Sequence, residues 1–230
     1  MPIIQLSNLI YRCPLYYIKT MIFDLHVHTT YSSCSELKIE DILNNALSRG
    51  LDGVCITDHN CMDARNDIVE GIQDDGLVVI IGMEYDTPGG DFLLFGSFEN
   101  LKPGLPAEEL MKIVDERGGA AVAAHPFRED RPVAGSIIHK GLCHAVESIN
   151  GRNTELENTK TQIWLNKYPL TQCGGSDAHS PEELGNVVTS IATPVRTRDD
   201  LIYAINNGLC VPTWNTNKER FLKTGDVSAG

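Results

Sequence analysis

The sequence predicts an α/β fold, with mostly parallel strands closed into a barrel and covered by helices. Three observations carry this. Short apolar runs alternate with helix-like segments along most of the chain, without an internal repeat. Polar residues suited to chemistry (His28, His59, Glu84, His125, Asn150 and Asp177) each follow such a run. In a barrel, functional groups gather at the carboxyl ends of many strands, whereas an open sheet concentrates them at one or two. No G-x-G-x-x-G or Walker A pattern offers a nucleotide site instead.

The first strand begins at Met21-Ile22-Phe23 and runs into Asp24-Leu25-His26-Val27-His28. Alternate residues on a strand point to one face, about 7 Å apart along the backbone, so two imidazoles can converge on one cation. A polar turn, Thr29 to Ser35, leads to a helix with Ile39, Ile42, Leu43, Ala46 and Leu47 on one face and Gly50 as its stop. Gly53 to Thr57 is a strand ending in Asp58-His59, and Met62 to Gln73 reads as a polar helix. Leu77 to Met83 reads as one fully buried strand ending in Glu84. Pro88-Gly89-Gly90 turns the chain, and Asp91 opens a strand over 92–98. Pro106 to Arg117 is a helix with Leu110, Ile113 and Val114 inward; Ala120 to Ala124 is a strand ending in His125-Pro126. A loop and short helix lead to the strand Ala145 to Asn150. A helix over 154–167 turns Ile163 and Trp164 towards the core. Leu170 to Gly174 is a strand ending in Ser176-Asp177-Ala178-His179, and Ser180-Pro181 starts a helix. Val187 to Thr193, a helix over 197–207, and Leu209 to Thr213 complete the pattern.

At 230 residues the chain suits one substantial domain. No apolar run approaches the ~20 residues of a membrane span. A net charge of −12 argues against stable nucleic-acid binding, although bound cations would still admit an anionic substrate. Seven cysteines without C-x-x-C spacing favour reduced thiols and a cytoplasmic setting. Residues 1–20 are apolar and Tyr-rich but lack the charge order and cleavage site of a secretory signal. We expect them to be an extension outside the native protein, the domain to span 21–213, and 214–230 to be a tail. The sequence carries no reading of oligomeric state.

Five of the seven histidines (His26, His28, His59, His125, His179) stand at strand ends or just beyond. Imidazole and carboxylate donors suit Zn, Mn or Fe, with Mg a further candidate. Glu84, following an apolar strand, is the best-placed bridging carboxylate; an unpaired charge there would be costly. His139 and His144 fit no such pattern and read as structural, and Met83, Leu93 and Leu94 as core.

Asp24-Leu-His26-Val-His28-Thr, Thr57-Asp58-His59, Gly82-Met83-Glu84, Ala124-His125-Pro126 and Gly175-Ser-Asp177-Ala-His179 resemble the motifs of the polymerase and histidinol phosphatase (PHP) family, in family order. The resemblance implies a distorted seven-stranded β/α barrel holding two or three divalent ions, usually for phosphoester hydrolysis. By position, His26, His28, Glu84 and Asp177 resemble the first metal site, His59 and His179 the second, and Glu84 and His125 the third. Two departures stand out. The family often has Asp, Glu or His in the turn where this chain has Ser32-Ser33-Cys34, so that site is weak, water-completed or served by Cys34. The family often has Gly-His where this chain has Gly90-Asp91; Asp91 is either a hard oxygen ligand favouring Mn or Mg, or a turn residue.

The expected activity is hydrolysis of a small phosphorylated metabolite or nucleotide. Arg128 and Arg152, just after strand ends, are the candidates to neutralise the phosphoryl group. Asp58 is expected to orient a neighbour. The short span from Asp91 to His125 leaves no room for an inserted domain, which favours an open pocket and a small substrate. The alternatives are a nuclease acting on short oligonucleotides, an amidohydrolase-like enzyme, and a non-catalytic metal-binding module.

Overall fold

A computed structural model describes residues 20–216. The expected extension and tail therefore fall almost wholly outside the described residues. In chain order the elements are β1 (Met21–Val27), α1 (Ile39–Asn45), β2 (Gly53–Ile56), β3 (Gly71–Ile72), β4 (Val78–Ile81), β5 (Met83–Thr87), β6 (Gly90–Phe95), α2 (Ala107–Glu116), β7 (Ala120–Ala123), α3 (Gly135–His139), β8 (Ala145–Asn150), α4 (Glu155–Lys160), α5 (Gln162–Leu165), β9 (Thr171–Gly175), β10 (Val187–Ile191), α6 (Arg198–Asn206) and β11 (Cys210–Trp214). No helix among them is long and apolar enough to cross a membrane.

The strands form two sheets, ordered β11-β10-β1-β2-β4-β3 and β5-β6-β7-β8-β9. The expected closed seven-stranded barrel is not found among the described residues. Nor is the pairing all parallel: β1–β2, β2–β4, β7–β8 and β8–β9 are, but β5–β6, β6–β7, β1–β10 and β10–β11 run antiparallel. For one of these pairs the cause is a short connection. β5 and β6 are joined by the tight turn over 88–89, and a hairpin can only pair antiparallel.

The apolar run from 77 to 83 is not one strand. It breaks at Gly82, where the chain leaves one sheet and enters the other. A Cβ on Gly82 would lie 2.6 Å from the Leu94 carbonyl oxygen, so only glycine allows this close passage. Glu84 is consequently the second residue of β5 rather than the cap of a buried strand. The expected polar helix over 62–73 is a single 3-10 turn, Asp63–Asn66, followed by β3. Only Met62, Ala64 and Ile68 of that segment are buried apolar residues, too few for a helical stripe. The helix over 154–167 divides at the buried Thr161, whose hydroxyl donates to the Asn158 carbonyl at 2.6 Å. Trp164 packs against Phe127, but Ile163 faces solvent. Leu47 is also exposed, because α1 tightens into a 3-10 turn there. No helix starts at Ser180; the segment turns directly towards β10. Leu110, Val114, Met83, Leu93 and Leu94 are buried as expected.

Two narrow seams join the sheets. At one, His28 N donates to Ala178 O (2.9 Å) and Ala178 N to His26 O (3.2 Å). At the other, Asn60 N donates to Glu84 O (2.8 Å) and Glu84 N to Thr57 O (3.1 Å). The first seam depends on Gly175, where a Cβ would lie 2.4 Å from His26 Cβ and 2.6 Å from His26 N. Gly175→Ala should therefore destabilise the fold by about 2 kcal/mol, lowering the melting temperature by roughly 4–8 °C in thermal unfolding. Gly135→Ala, where the backbone is not left-handed and a Cβ would come no nearer than 3.3 Å, to the His139 ring, is the comparison and should shift it less. Equal shifts would show that the close approach at Gly175 is unimportant.

Candidate metal centre

The seams bring the strand-end histidines together. β1 supplies His26 and the residue after its end is His28, both buried; the loop after β2 supplies His59; β5 supplies Glu84; the loop after β9 supplies Asp177 and His179. His26 Nε2 and His28 Nε2 lie 2.9 Å apart. Glu84 Oε2 is 3.3 and 3.2 Å from these two nitrogens, and Asp177 Oδ1 is 3.5 and 3.3 Å from them. Ligands about 2.0–2.1 Å from one ion stand roughly 3.0–3.4 Å from each other at right-angled to tetrahedral geometry. The observed spacings match.

The ring orientations are fixed from behind. His26 Nδ1 pairs with Glu147 Oε1 at 3.0 Å. His28 Nδ1 lies 3.2 Å from Ser32 Oγ, whose own hydroxyl donates to Asp58 Oδ1 at 2.6 Å. Ser32 must therefore accept from His28, placing that proton on Nδ1. Both partners leave the Nε2 lone pairs turned inward, as metal-binding imidazoles require. Two lone pairs facing each other at 2.9 Å with two carboxylates beside them repel unless a cation lies among them. That is the observation by which these residues fit a divalent ion.

Two further groups offer converging donors. His28, His59 and His179 form one, and Glu84, Asp91 and His125 the other, each with one ligand atom per residue within 4.8 Å of the rest. His179 Nδ1 donates to the Asp177 carbonyl at 2.8 Å, freeing Nε2. His125 Nε2 lies 2.8 Å from Glu84 Oε1, so Glu84 faces the first group with one oxygen and His125 with the other. Asp91 Oδ2 is buried without a hydrogen-bond partner. Among the described residues, Cys34 joins none of these groups. Its thiol is pushed above the usual range by burial, which keeps it protonated.

The electrostatics follow from crowding. Burial opposes charge on His26, but Glu147, Asp177 and Glu84 outweigh it and raise its pKa well above the ordinary value. Burial likewise opposes the Glu84 carboxylate, but His26 and hydrogen bonds from His125, His26 and His28 hold its pKa well below normal. Asp177 is lowered well below normal against burial, by His26 and the His28 hydrogen bond. Asp91 is raised to about 6, by burial and then by Glu84.

The backbone is strained here as well. His125, Asp177 and Asn60 adopt φ of 30°, 54° and 54°, the only non-glycine residues with positive φ among those described. Each such conformation costs about 1–3 kcal/mol and persists where surrounding structure imposes it. Two of the three are candidate ligands, and the third follows His59.

The expected helpers divide. Asp58 accepts from Thr29 N (2.7 Å), Thr29 Oγ1 (2.7 Å) and Ser32, and so orders the turn behind His28. Arg128 is committed to the protein: Nη2 donates to Asp177 Oδ2 (2.7 Å) and Asn150 Oδ1 (2.9 Å), and Nε to Asn153 Oδ1 (3.0 Å). Arg152 is largely free, with only Glu183 at 3.5 Å. His139 and His144 belong to no group. Four residues received no role from the motif reading: Glu147, Ser32, Asp24 and Arg131. Glu147 touches His26, His125 N (2.8 Å) and Asn150 Nδ2 (3.0 Å). Its signal was present, a charged residue inside the apolar strand β8. Asp24 accepts from Ser176 N and Gly185 N, both at 2.9 Å, tying β1 to the loop that carries Asp177.

A family profile described as a PHP domain matches residues 24–169, and one described as PHP-associated matches residues 155–210. Over 154 residues the chain is 34% identical to an uncharacterized protein of Methanocaldococcus jannaschii, spanning 63% of this chain and 89% of that one. Among solved structures, PsfC from Pseudomonas syringae aligns with a TM-score of 0.71 at 19% identity, covering 91% of this chain and 97% of that one. A two-domain protein of Bacteroides vulgatus containing a predicted PHP-like metal-dependent phosphoesterase aligns at 0.65 and 19% identity, covering 89% and 70%. An endonuclease Q of Pyrococcus furiosus aligns at 0.60 and 17% identity, covering 82% and 56%. At these identities the likeness is one of fold.

A bound divalent ion would relieve the crowding of donors. Mn²⁺ at about 100 times its Kd should stabilise the fold by ~2.7 kcal/mol, raising the melting temperature by roughly 5–11 °C. His28→Ala should lose most of that rise. A melting temperature indifferent to Mn²⁺ after chelation would remove the metal centre.

Proposed function

We propose that this chain, which belongs to the PHP domain family, is a metal-dependent phosphoesterase acting on a small phosphorylated molecule. The observation that carries this reading is the convergence of Glu84 and Asp177 on His26 and His28, whose Nε2 atoms lie 2.9 Å apart, each carboxylate reaching both imidazoles at 3.2–3.5 Å. Four acceptors so packed have no purpose in a core and one clear use, around a divalent cation. Two or three bound ions, of Zn, Mn or Fe, would supply Lewis acidity and an activated water for attack on phosphorus.

The protein's own residues do the rest. His26, His28, Glu84 and Asp177 would hold the first ion, His59 and His179 the second, and Glu84, His125 and Asp91 the third. Glu147 and Ser32 keep the two β1 imidazoles in the ligand tautomer. Arg128 holds Asp177 by its outer oxygen, which makes it a positioning residue. Arg152 is the guanidinium free to reach a phosphoryl oxygen. It lines an open, polar cavity of about 360 Å³ with Cys34, Ser35, His179 and Ser180. That volume is at the small end for ligand sites. It supports a small substrate over a polymer, as does the net charge of −12.

The test is turnover of a phosphoester panel, with a short oligonucleotide and an amide among its members, after chelation and return of Mn²⁺. The expected result is Mn²⁺-dependent release of phosphate from a small ester, abolished in His28→Ala. Equal, slow rates for the two proteins would end the phosphoesterase reading, and preferred cleavage of the oligonucleotide would replace it with a nuclease. Arg152→Ala should raise KM for the active ester about tenfold or more with a smaller change in bound metal, since the residue touches no ligand; an unchanged KM would exclude it from the substrate site.

A further inference from the structure

The third ligand group differs from the others in its surroundings, and the difference is Arg131. Asp91 lies at the start of β6, buried, and pairs across the hairpin with Asp86. Two carboxylates directly opposite on adjacent strands repel. Arg131 Nη2 sits between them, 2.8 Å from Asp91 Oδ1 and 3.0 Å from Asp86 Oδ1. The other Asp91 oxygen, Oδ2, has no hydrogen-bond partner and lies 3.9 Å from His125 Nε2. Asp91 is therefore a ligand with one oxygen aimed at the cation position and the other held by a guanidinium.

Arg128 grips Asp177 in the same way, but the first group draws on two imidazoles and two carboxylates. The third has one imidazole and Asp91, and it shares Glu84. Glu84 Oε2 is already committed to His26, His28 and His59, at 3.3, 3.2 and 3.2 Å. Little negative charge remains for a third cation, and Arg131 offsets part of it.

We propose that the third position is an exchangeable cation site whose affinity is lowered by Arg131. The inference rests on the metal-dependent reading above and adds the regulation of that site. Two effects of Arg131 oppose each other. Its hydrogen bond orients Asp91, and losing such a partner ordinarily weakens a metal site 10–100-fold. Asp91 is buried on a strand, however, so its rotamer is fixed by packing as well. Its charge repels a divalent ion a few ångströms away, which is worth on the order of tenfold even at the dielectric of water and more at lower values. The charge effect wins. The guanidinium is 41% exposed, so it can also leave Asp91 when an anionic substrate arrives.

The test is Mn²⁺ binding to the chelator-stripped full chain, followed by equilibrium dialysis with elemental analysis and by calorimetry. In the wild type the ion at the third position is identified as the one lost in Asp91→Ala. Arg131→Gln should tighten the third about tenfold and leave the first two unchanged. Arg131→Lys, which keeps the charge without the fork, should stay near the wild type, and Asp91→Ala should bind only two. Circular dichroism and the retained first two ions report that each variant is folded. An Arg131→Gln third site no tighter than before would overturn the inference; so would Arg131→Lys behaving like Arg131→Gln. If no Mn²⁺ binds at all, this inference and the metal reading fall together. If the binding pattern holds but no phosphoester is turned over, only the phosphoesterase reading fails.

Discussion

The structure depends on one buried carboxylate. Glu84 is almost wholly inaccessible, and its two oxygens face His26, His28, His59 and His125 at 2.8–3.3 Å. Asp24, Asp58, Asp91, Glu147 and Asp177 are buried nearby. Taking a charge out of water costs several kcal/mol after relaxation unless a counter-charge or hydrogen bonds replace the lost hydration. Asp24 and Asp58 are satisfied by backbone and hydroxyl donors, and Glu147 by His26, the His125 amide and Asn150. Glu84, Asp91 and Asp177 are left to imidazoles and to one arm each of two arginines. Without ions the only further source of positive charge is protonation of the histidines, which is why His26 is driven to hold its proton. Divalent cations would supply the same compensation and free the imidazoles as ligands.

That charge cluster sits where the backbone is least able to spread apart. The sheets meet through two hydrogen bonds at the β1–β9 seam and a similar set where His59 and Glu84 pair. Ligands of the first group come from both sheets: His26 and His28 from one, Glu84 from the other, and Asp177 from just past the end of β9. Ion binding would therefore cross-link the sheets, and the seams in turn fix ligand spacing. The positive φ at His125 and Asp177 belongs to this trade, since a strand ending in a left-handed residue can turn its side chain back over the sheet end.

Much of the site was legible because ligands recur in a simple place. His26, His28, His59, His125 and His179 each follow an apolar run, and period-two alternation puts the first two on one face. The architecture was less legible, because strand direction is not written in hydrophobic pattern. Residues 77–83 are uniformly apolar, and nothing in that pattern marks Gly82 as a change of sheet; only the proximity of Leu94 makes it one. Met62 to Gln73 differs from the expected helix for another reason: polar segments lack the apolar stripe that separates a helix from a turn. Residues that support the ligands were hard to see because their partners are distant in sequence. Glu147 reaches His26 across 121 positions, and Gly185 reaches Asp24 across 161. The Ser32 turn, where the sequence suggests a missing ligand, instead holds an acceptor for His28 and for the His59 amide. A hydroxyl there trades a direct metal bond for control of two neighbours.

The three arginines around the site form a graded series, and the grading separates their roles. Arg128 makes three hydrogen bonds to Asp177, Asn150 and Asn153 and is 21% exposed. Moving it would leave Asp177 half-unpaired in a buried place, so it stays where it is and stiffens a ligand. Arg152 has one long contact, to Glu183, and can leave it at little cost, because exposed ion pairs contribute less than about 1 kcal/mol. Arg131 lies between, with two carboxylate partners but an exposed guanidinium. A residue bound on one side and open on the other is the one that can exchange partners when charge in the site changes. Fixed, exchangeable and free cations thus lie in order around one cluster of carboxylates. Against a net charge of −12 for the whole chain, these three positions are the places where an anion would meet positive charge at the site.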